Sequence, residues 1–317
     1  MHRALGIALL ALLPPCLSAE SIRVVASIKP VHALVASVMK GVGSPELLVT
    51  SSASPHHYSL RPSDVRHIAT ADVVFWVGPS LEGFLAKPLA NFKAVRTETL
   101  LEAPGVRLLP SRAMGADHDW RTVNQDDTKR ADASVETSDH DHDGVEDPHI
   151  WLDPGNAIAM ARRIGGVLAE LEPARRREFE ANTSALIGRL EVLDGKIIEQ
   201  LGPVKDTPYL VFHDAYQYYE RRYGLNVVGA IVASAEQRPG ARRLREIRNR
   251  IRLTEARCVF NEPQYESALV ETVIDGSGAR SAILDPLGAQ LRAGPESYFL
   301  LMDTLTEALR DCLQDSS

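Results

Sequence analysis

A long helical tract divides this sequence into two halves with the same internal pattern. From Pro173 to Leu201 the chain has no internal proline. Its apolar residues recur at the spacing of one helix face: Phe179, Leu186, Leu190, Leu193 and Ile197. At 1.5 Å per residue the helix would be about 40 Å long. We expect it to be a stiff connection between two lobes, because bending a helix needs a proline, a glycine pair or a bulge.

Each half alternates short apolar runs with helical stretches. The apolar runs are SIRVVAS, LLVT and ADVVFWVG in the first half and TPYLVFHD, LNVVGAIV, ARCVFNEP and SAILDPLG in the second. Strands that are apolar throughout and alternate with helices are typical of a parallel sheet covered on both faces. The sequence therefore predicts an α/β protein of two (β/α) domains, each with a mostly parallel sheet.

The first nineteen residues have the composition of a secretory signal peptide. Arg3 precedes an apolar stretch from Ala4 to Leu13, and small residues precede the expected cleavage point after Ala19. The apolar stretch is shorter than the about 20 residues that cross a bilayer, and no later run is long enough. We expect export to the periplasm and no membrane span. Lipid anchoring at Cys16 is the alternative, and the two prolines before it disfavour this.

Length supports more than one domain. Without the signal peptide about 298 of the 317 residues remain, which is more than a single core usually takes. The predicted organisation is a signal peptide at 1–19, an N-terminal α/β domain at 20–172, a linker helix at 173–201 and a C-terminal α/β domain at 202–317.

The cysteines agree with export. Cys258 and Cys312 are the two that remain after cleavage, and an even number in an oxidising compartment predicts a disulfide. A disulfide that closes the long loop between Cys258 and Cys312 would stabilise the fold by about 4 kcal/mol in the chain-entropy model. Two buried free thiols are the alternative.

Charge is concentrated in one segment. The chain carries a formal net charge of −7, and the stretch 111–148 has eleven acidic and four basic residues, which leaves the remainder nearly neutral. A nucleic-acid-binding protein would show a basic surface, so this class is excluded. Arginines cluster between 242 and 252, but Leu244, Ile247 and Ile251 lie among them at helical spacing, which predicts an amphipathic helix with a solvated face.

The acidic loop at 111–146 has almost no aliphatic residues and cannot bury enough apolar surface to order itself. It contains His118, His140 and His142 and ends in a tract of His and Asp, a composition associated with metal binding. It is either a weak metal-collecting segment or a plain solvated loop.

Three histidines from distant parts of the chain stand close to the ends of apolar runs. They are His56 in SASPHHYSLRPSD, His149 in DPHIWLDP and His213 in YLVFHDAYQYYE, and Asp285 in SAILDPLG follows a fourth run. In open α/β sheets ligands bind beyond the carboxyl ends of the strands, so these side chains can meet in a cleft between the lobes. Three imidazoles and one carboxylate form a tetrahedral set that suits zinc. The sequence therefore predicts a zinc site between the two domains.

Neighbouring residues have predicted supporting roles. Asp147, Asp153 and Asp214 lie close enough in sequence to accept the second ring N–H of a ligand histidine, although Asp153 before a proline is favoured as a helix N-cap. We take His56 as the ligand and expect His57 to face away, because adjacent side chains of an extended chain point to opposite sides.

Four segments in this order, ASPHHYSLRPSD, DPHIWLDP, VFHDAYQYY and ILDPLG, resemble the signature of the ZnuA-like zinc receptors of bacterial ABC importers. The resemblance implies two (β/α) domains joined by a rigid helix, a zinc ion in the cleft, a monomeric receptor and delivery to a membrane permease. Some zinc receptors carry an acidic residue where this chain has Pro55. The fourth ligand is therefore Asp285, water or a histidine of the acidic loop.

Two other functions use the same ligands. A zinc hydrolase would keep an open fourth position and need a base, for which Glu262 and Glu236 qualify by residue type, but the sequence contains no HExxH motif. A manganese receptor would share the fold, whereas three imidazoles favour zinc in the Irving–Williams order. We interpret the chain as a transport receptor and not an enzyme.

Overall fold

The computed structural model describes residues 22–50, 54–112, 146–232, 239–265 and 268–314. The predicted signal peptide at 1–19, most of the acidic loop with its three histidines, and Glu236 lie outside the described residues.

The strands of the described residues form two parallel four-stranded sheets. The first has the order β2-β1-β3-β4 and the second has the order β6-β5-β7-β8. The strands are β1 (Val24–Ala26), β2 (Glu46–Leu47), β3 (Val73–Trp76), β4 (Arg96–Thr99), β5 (Tyr209–His213), β6 (Val227–Val232), β7 (Cys258–Asn261) and β8 (Arg280–Ile283). The predicted α/β class with a parallel sheet in each half is confirmed.

Helices connect the strands within each half. They are α1 (Lys29–Val38), α2 (Pro62–Thr70), α3 (Gly83–Asn91), α4 (Pro154–Leu171), α5 (Arg176–Leu201), α6 (Gln217–Tyr223), α7 (Ala241–Thr254), α8 (Ala268–Ile274) and α9 (Ser297–Leu313). None of the helices in the described ranges is both long and apolar enough to cross a membrane.

The predicted long helix is α5, which begins at Arg176 after a 3₁₀ turn over Pro173–Arg175. Its predicted apolar face is buried, since Phe179, Leu190 and Ile197 have no exposed surface. The helix packs against α1 and α4 of the first half and against α9 of the second half. It therefore contributes to a core shared by both halves. The domain boundaries themselves stay a prediction.

The contact between α4 and α5 depends on a small residue. A Cβ atom at Gly165 would collide with Thr183 Oγ1, so glycine lets the two helices approach closely. The packing of α4 against α5 joins the long helix to the first half.

The arginine cluster lies on α7, as predicted. Ile247 and Ile251 are buried. Several arginines bind backbone carbonyls of neighbouring elements: Arg243 donates to Ala230 O at 2.8 Å, and Arg250 donates to Val228 O at 3.0 Å. These side chains fasten the helix to its sheet.

The predicted disulfide between Cys258 and Cys312 is present, with the two Cα atoms 6.2 Å apart. It ties β7, a central strand of the second sheet, to the end of α9. The last helix is thereby fixed covalently to the sheet that carries His213.

Candidate metal centre

The three predicted histidines converge on one point. Nitrogen atoms of His56, His149 and His213 lie within 4.8 Å of one another, and the ring centroids are 5.3 to 6.1 Å apart. Within the described ranges, this is the group of His, Cys, Asp and Glu side chains whose spacing could hold a metal ion. That these three residues bind a metal stays a prediction.

Each histidine is positioned by a different element. His213 is the last residue of β5, a central strand of the second sheet. His149 lies directly before a 3₁₀ turn over Ile150–Leu152 that leads into α4, and the N-cap of α4 is Asp153, whose Oδ1 accepts from Gly155 N at 2.7 Å. The predicted capping role of Asp153 is confirmed.

His56 lies in a 3₁₀ turn over Pro55–His57, and its backbone N–H donates to Ser54 Oγ at 3.3 Å. His57 is exposed, as expected. The extended conformation expected for this segment is wrong, because Pro55–His57 form a tight turn. In a 3₁₀ helix successive side chains are rotated by about 120° and therefore leave in different directions.

His149 and His213 face each other through their Nε2 atoms, which are 3.4 Å apart. Their Nδ1 atoms both contact carboxylates. An ionised carboxylate can accept a hydrogen bond but cannot donate one, so the ring protons belong on Nδ1 and the Nε2 lone pairs point at each other. Two nitrogens bound tetrahedrally to zinc at about 2.0–2.1 Å would lie about 3.3–3.4 Å apart. The spacing of this pair fits a shared zinc ion.

The two carboxylates that hold these rings are buried. Asp147 Oδ1 accepts from His149 Nδ1 at 2.7 Å, and Glu262 Oε1 accepts from His213 Nδ1 at 2.5 Å. Asp147 is 3% exposed and Glu262 is 2% exposed, so neither hydrogen bond is weakened by bulk water. A carboxylate on the outer nitrogen fixes the ring orientation and makes the inner nitrogen a better ligand.

Asp214 does not support a ring as the sequence predicted. Its carboxylate pairs with the buried Arg112 guanidinium at 3.1 Å, and Arg112 also pairs with Glu220. Glu262 occupies the role expected of Asp214. It follows β7, which is hydrogen-bonded directly to the strand that ends in His213, so adjacency of strand ends is the signal that could have identified it.

The environment sets the protonation of the three rings. Burial, and then the neighbouring His149 and His213, lower the pKa of His56 to about 2. Burial lowers the pKa of His149 well below its usual value, and His213 adds to this effect. Burial also acts to lower the pKa of His213, but the Glu262 carboxylate outweighs it and raises the pKa. His56 and His149 are therefore neutral and available as ligands near pH 7.

Asp285 is not one of the clustered residues. Its Oδ1 accepts from Leu287 N at 3.1 Å and from Gln264 Nε2 at 3.3 Å, and its Oδ2 accepts from Ala289 N at 2.5 Å. These bonds shape the loop that follows β8. Its role as a fourth ligand stays a prediction.

A small cavity of about 10 Å³ lies among the histidines and is also lined by Trp151, Gln264 and Tyr265. This is room for about one water molecule. Beside the cavity, Trp151 Nε1 donates to Pro286 O at 2.8 Å and ties the loop after β8 to the segment that carries His149.

Comparison with known proteins identifies similar chains over nearly the whole length. The model of the family described as zinc-uptake complex component A, periplasmic (ZnuA) matches residues 24–312. The chain is 41% identical over 311 residues to the high-affinity zinc uptake system protein ZnuA of Brucella abortus (strain 2308), covering 94% of this chain and 93% of that protein. It is 36% identical over 294 residues to the protein of the same name from Yersinia pestis, covering 93% and 92%.

Among solved structures, a crystal structure of ZnuA superimposes with a TM-score of 0.74 at 22% identity, covering 93% of this chain and all of that chain. At this identity the likeness shows a shared fold. It agrees with the two parallel sheets and the long central helix described above.

Proposed function

This chain belongs to the ZnuA family of periplasmic zinc-uptake components, and on that premise we propose that it captures zinc and delivers it to an ABC-type permease. The family consists of solute-binding transport receptors and not of enzymes. Zinc is therefore the transported substrate of this protein and not a resident cofactor.

The observation that carries this proposal is the convergence of three imidazoles from separate parts of the chain. Two of their nitrogens already have the spacing of ligands to one tetrahedral ion. We assign His56, His149 and His213 as the protein ligands. The fourth position is left to Asp285, to water or to a histidine of the acidic loop.

We propose that the receptor has two domains, 20–172 and 202–317, joined by the helix at 173–201. We further propose that the signal peptide at 1–19 is cleaved and that the mature receptor works in the periplasm as a monomer. The stiff α5, buried along one face, favours small movements of the lobes during loading.

Isothermal titration of the metal-stripped mature protein with zinc tests the proposal. We expect one tight site per chain in the wild-type protein and in His67→Ala, a control histidine that is exposed on α2. We expect the tight site to be lost in His213→Ala. Wild-type binding no tighter than that of His213→Ala would overturn the proposal.

Competition between metals tests the choice of zinc. Three nitrogen ligands should hold zinc against an equal concentration of manganese, in keeping with the Irving–Williams order. Displacement of zinc by manganese under these conditions would contradict zinc as the substrate, while leaving the receptor role in place.

A further inference from the structure

Gln264 has an unused oxygen beside the three histidines. The residue follows β7 and lines the small cavity of the candidate site. Its Oε1 atom is buried and has no hydrogen-bond partner among the described residues. A buried carbonyl oxygen without a donor is unfavourable, so such an atom in a folded protein indicates a missing partner.

The orientation of this amide is fixed from the other side. Gln264 Nε2 donates to Asp285 Oδ1 at 3.3 Å. Exchanging the oxygen and nitrogen would bring the amide oxygen against a carboxylate oxygen, and both of these atoms are acceptors. Asp285 thereby directs Gln264 Oε1 away from its own loop.

Other polar groups that line the cavity already have partners. Glu262 Oε1 accepts from the His213 ring, and Ser54 Oγ accepts from His56 N. Among the cavity-lining residues that the structure describes, the buried side-chain atoms without a partner are His56 Nε2 and Gln264 Oε1. One is a nitrogen ligand for a metal, and the other is an acceptor for O–H or N–H.

A zinc ion carrying one water molecule satisfies both atoms at once. Zinc with three protein nitrogens keeps a water at its fourth position, and its usual protein ligands are thiolates, imidazoles and carboxylates but not amides. A metal-bound water is a hydrogen-bond donor, and an amide oxygen is an acceptor that cannot take up its proton.

We propose that Gln264 holds the fourth ligand of the zinc ion, a water molecule, by accepting its hydrogen bond at Oε1. Asp285 acts through Gln264 as a positioning residue and does not bind the ion itself. This inference rests on the proposed zinc-receptor function and specifies its fourth position.

The test is a double-mutant cycle on zinc affinity, measured by competition with a chelator. Gln264→Met keeps the approximate volume of the side chain and removes the acceptor. We expect an affinity loss of about 10- to 100-fold, the range for groups that hold metal ligands, with one zinc per chain retained. Asp285→Ala should lose less, because the glutamine remains but is no longer oriented.

The double variant Gln264→Met/Asp285→Ala should bind zinc no more weakly than Gln264→Met alone, because both substitutions remove the same interaction. Gln200→Ala, a glutamine on α5 that does not line the cavity, is the control and should match the wild-type protein.

Two results would overturn the inference. One is a wild-type affinity in Gln264→Met. The other is a larger loss in Asp285→Ala that adds to the loss in Gln264→Met, which would indicate direct coordination by Asp285. Suppose that the wild-type protein binds zinc tightly and that His213→Ala abolishes this binding. Either of the two results would then refute the role of Gln264 and leave the receptor function in place. Absence of tight binding in the wild-type protein would instead refute the receptor function.

Discussion

The two buried histidines of the site are held very differently from the third. His149 and His213 are 5% and 4% exposed, and each donates its outer N–H to a buried carboxylate. His56 is half-buried on a short turn, and its Nε2 atom has no hydrogen-bond partner among the described residues. In the proposed zinc site, one pair of ligands is therefore prepared by the fold, whereas we expect the third to gain its partner when the ion binds.

This difference has an energetic consequence. A ring held in one orientation by a carboxylate loses little conformational freedom when it binds a metal, so more of the bond energy appears as affinity. His56 and His149 are both supplied by the first half, His56 in the connection between β2 and α2 and His149 directly before the turn that leads into α4. His213 ends β5 of the second sheet, and its carboxylate, Glu262, follows β7. Each half thus provides one of the two fixed histidines, and the first half also provides the less constrained His56.

Removing a ligand gives the largest expected effect. We expect His149→Ala and His213→Ala to weaken zinc binding by more than the about 100-fold upper range for outer-shell changes. Each also leaves a buried carboxylate, Asp147 or Glu262, without its partner. His56→Ala should cost less, because it strands no carboxylate. Chelator competition on the three variants measures the order of the losses, and a His56→Ala loss equal to or above the others would contradict the difference between His56 and the buried pair.

Neutralising the supporting carboxylates should have the next largest effect. We expect Asp147→Asn and Glu262→Gln each to reduce zinc affinity by about 10- to 100-fold, because the ring loses its charged acceptor and the inner nitrogen becomes a weaker ligand. Asp303→Asn, which removes only a partly exposed charge paired with Lys196, should bind like the wild-type protein. Wild-type affinity in both site variants would show that the carboxylates do not prepare the pair.

Proton competition should come almost entirely from one of the three rings. The pKa of His213 is raised by Glu262, whereas the pKa values of His56 and His149 are far below neutrality. Zinc needs the unprotonated ring, so affinity should fall by about tenfold for each pH unit below the His213 pKa and level off above it.

Titrations of the wild-type protein across pH 5 to 8 measure this slope. A slope near two would mean that a second group loses a proton, and Asp147, whose pKa burial raises to about 7, is the candidate. In Glu262→Gln, the pH at which zinc affinity starts to fall should be lower, since the charge that raises the His213 pKa is gone. If this pH is unchanged in the variant, the assignment to His213 is wrong.

The sequence predicted the two buried histidines, His149 and His213, better than the carboxylates that hold their rings. The place of His213 follows from parallel strands, because it ends β5 at the carboxyl edge of its sheet, whereas His56 and His149 lie in or next to 3₁₀ turns. The support by Glu262 depends on which strand lies next to β5, and strand order is a tertiary property that residue patterns do not contain. Closeness in sequence favours Asp214 as the support of His213, but the fold pairs Asp214 with Arg112.

The pattern of apolar runs did not predict every strand. The edge strand β4 reads RTET and has no apolar run. It is a strand because it pairs in register with β3, from Val73 with Arg96 to Trp76 with Thr99. The apolar strands were predictable because a strand buried on both faces is a continuous run of apolar residues. The long helix was predictable because its buried face has apolar residues at helical spacing.

Replacing His57 should have the smallest effect and sharpens the view of His56 as a single adaptable ligand. His57 is adjacent to His56 in the same turn but is exposed, and it is not in the cluster found among the described residues. We expect His57→Ala to change zinc affinity by less than about twofold, as for other surface substitutions. His56→Ala/His57→Ala should then match His56→Ala in the same chelator assay.

A double variant that binds zinc more weakly than His56→Ala would mean that His57 can take over as ligand when His56 is absent. In that case the adaptable element is the whole turn, and the contrast with the rigid pair would be between segments of the chain and not between single side chains.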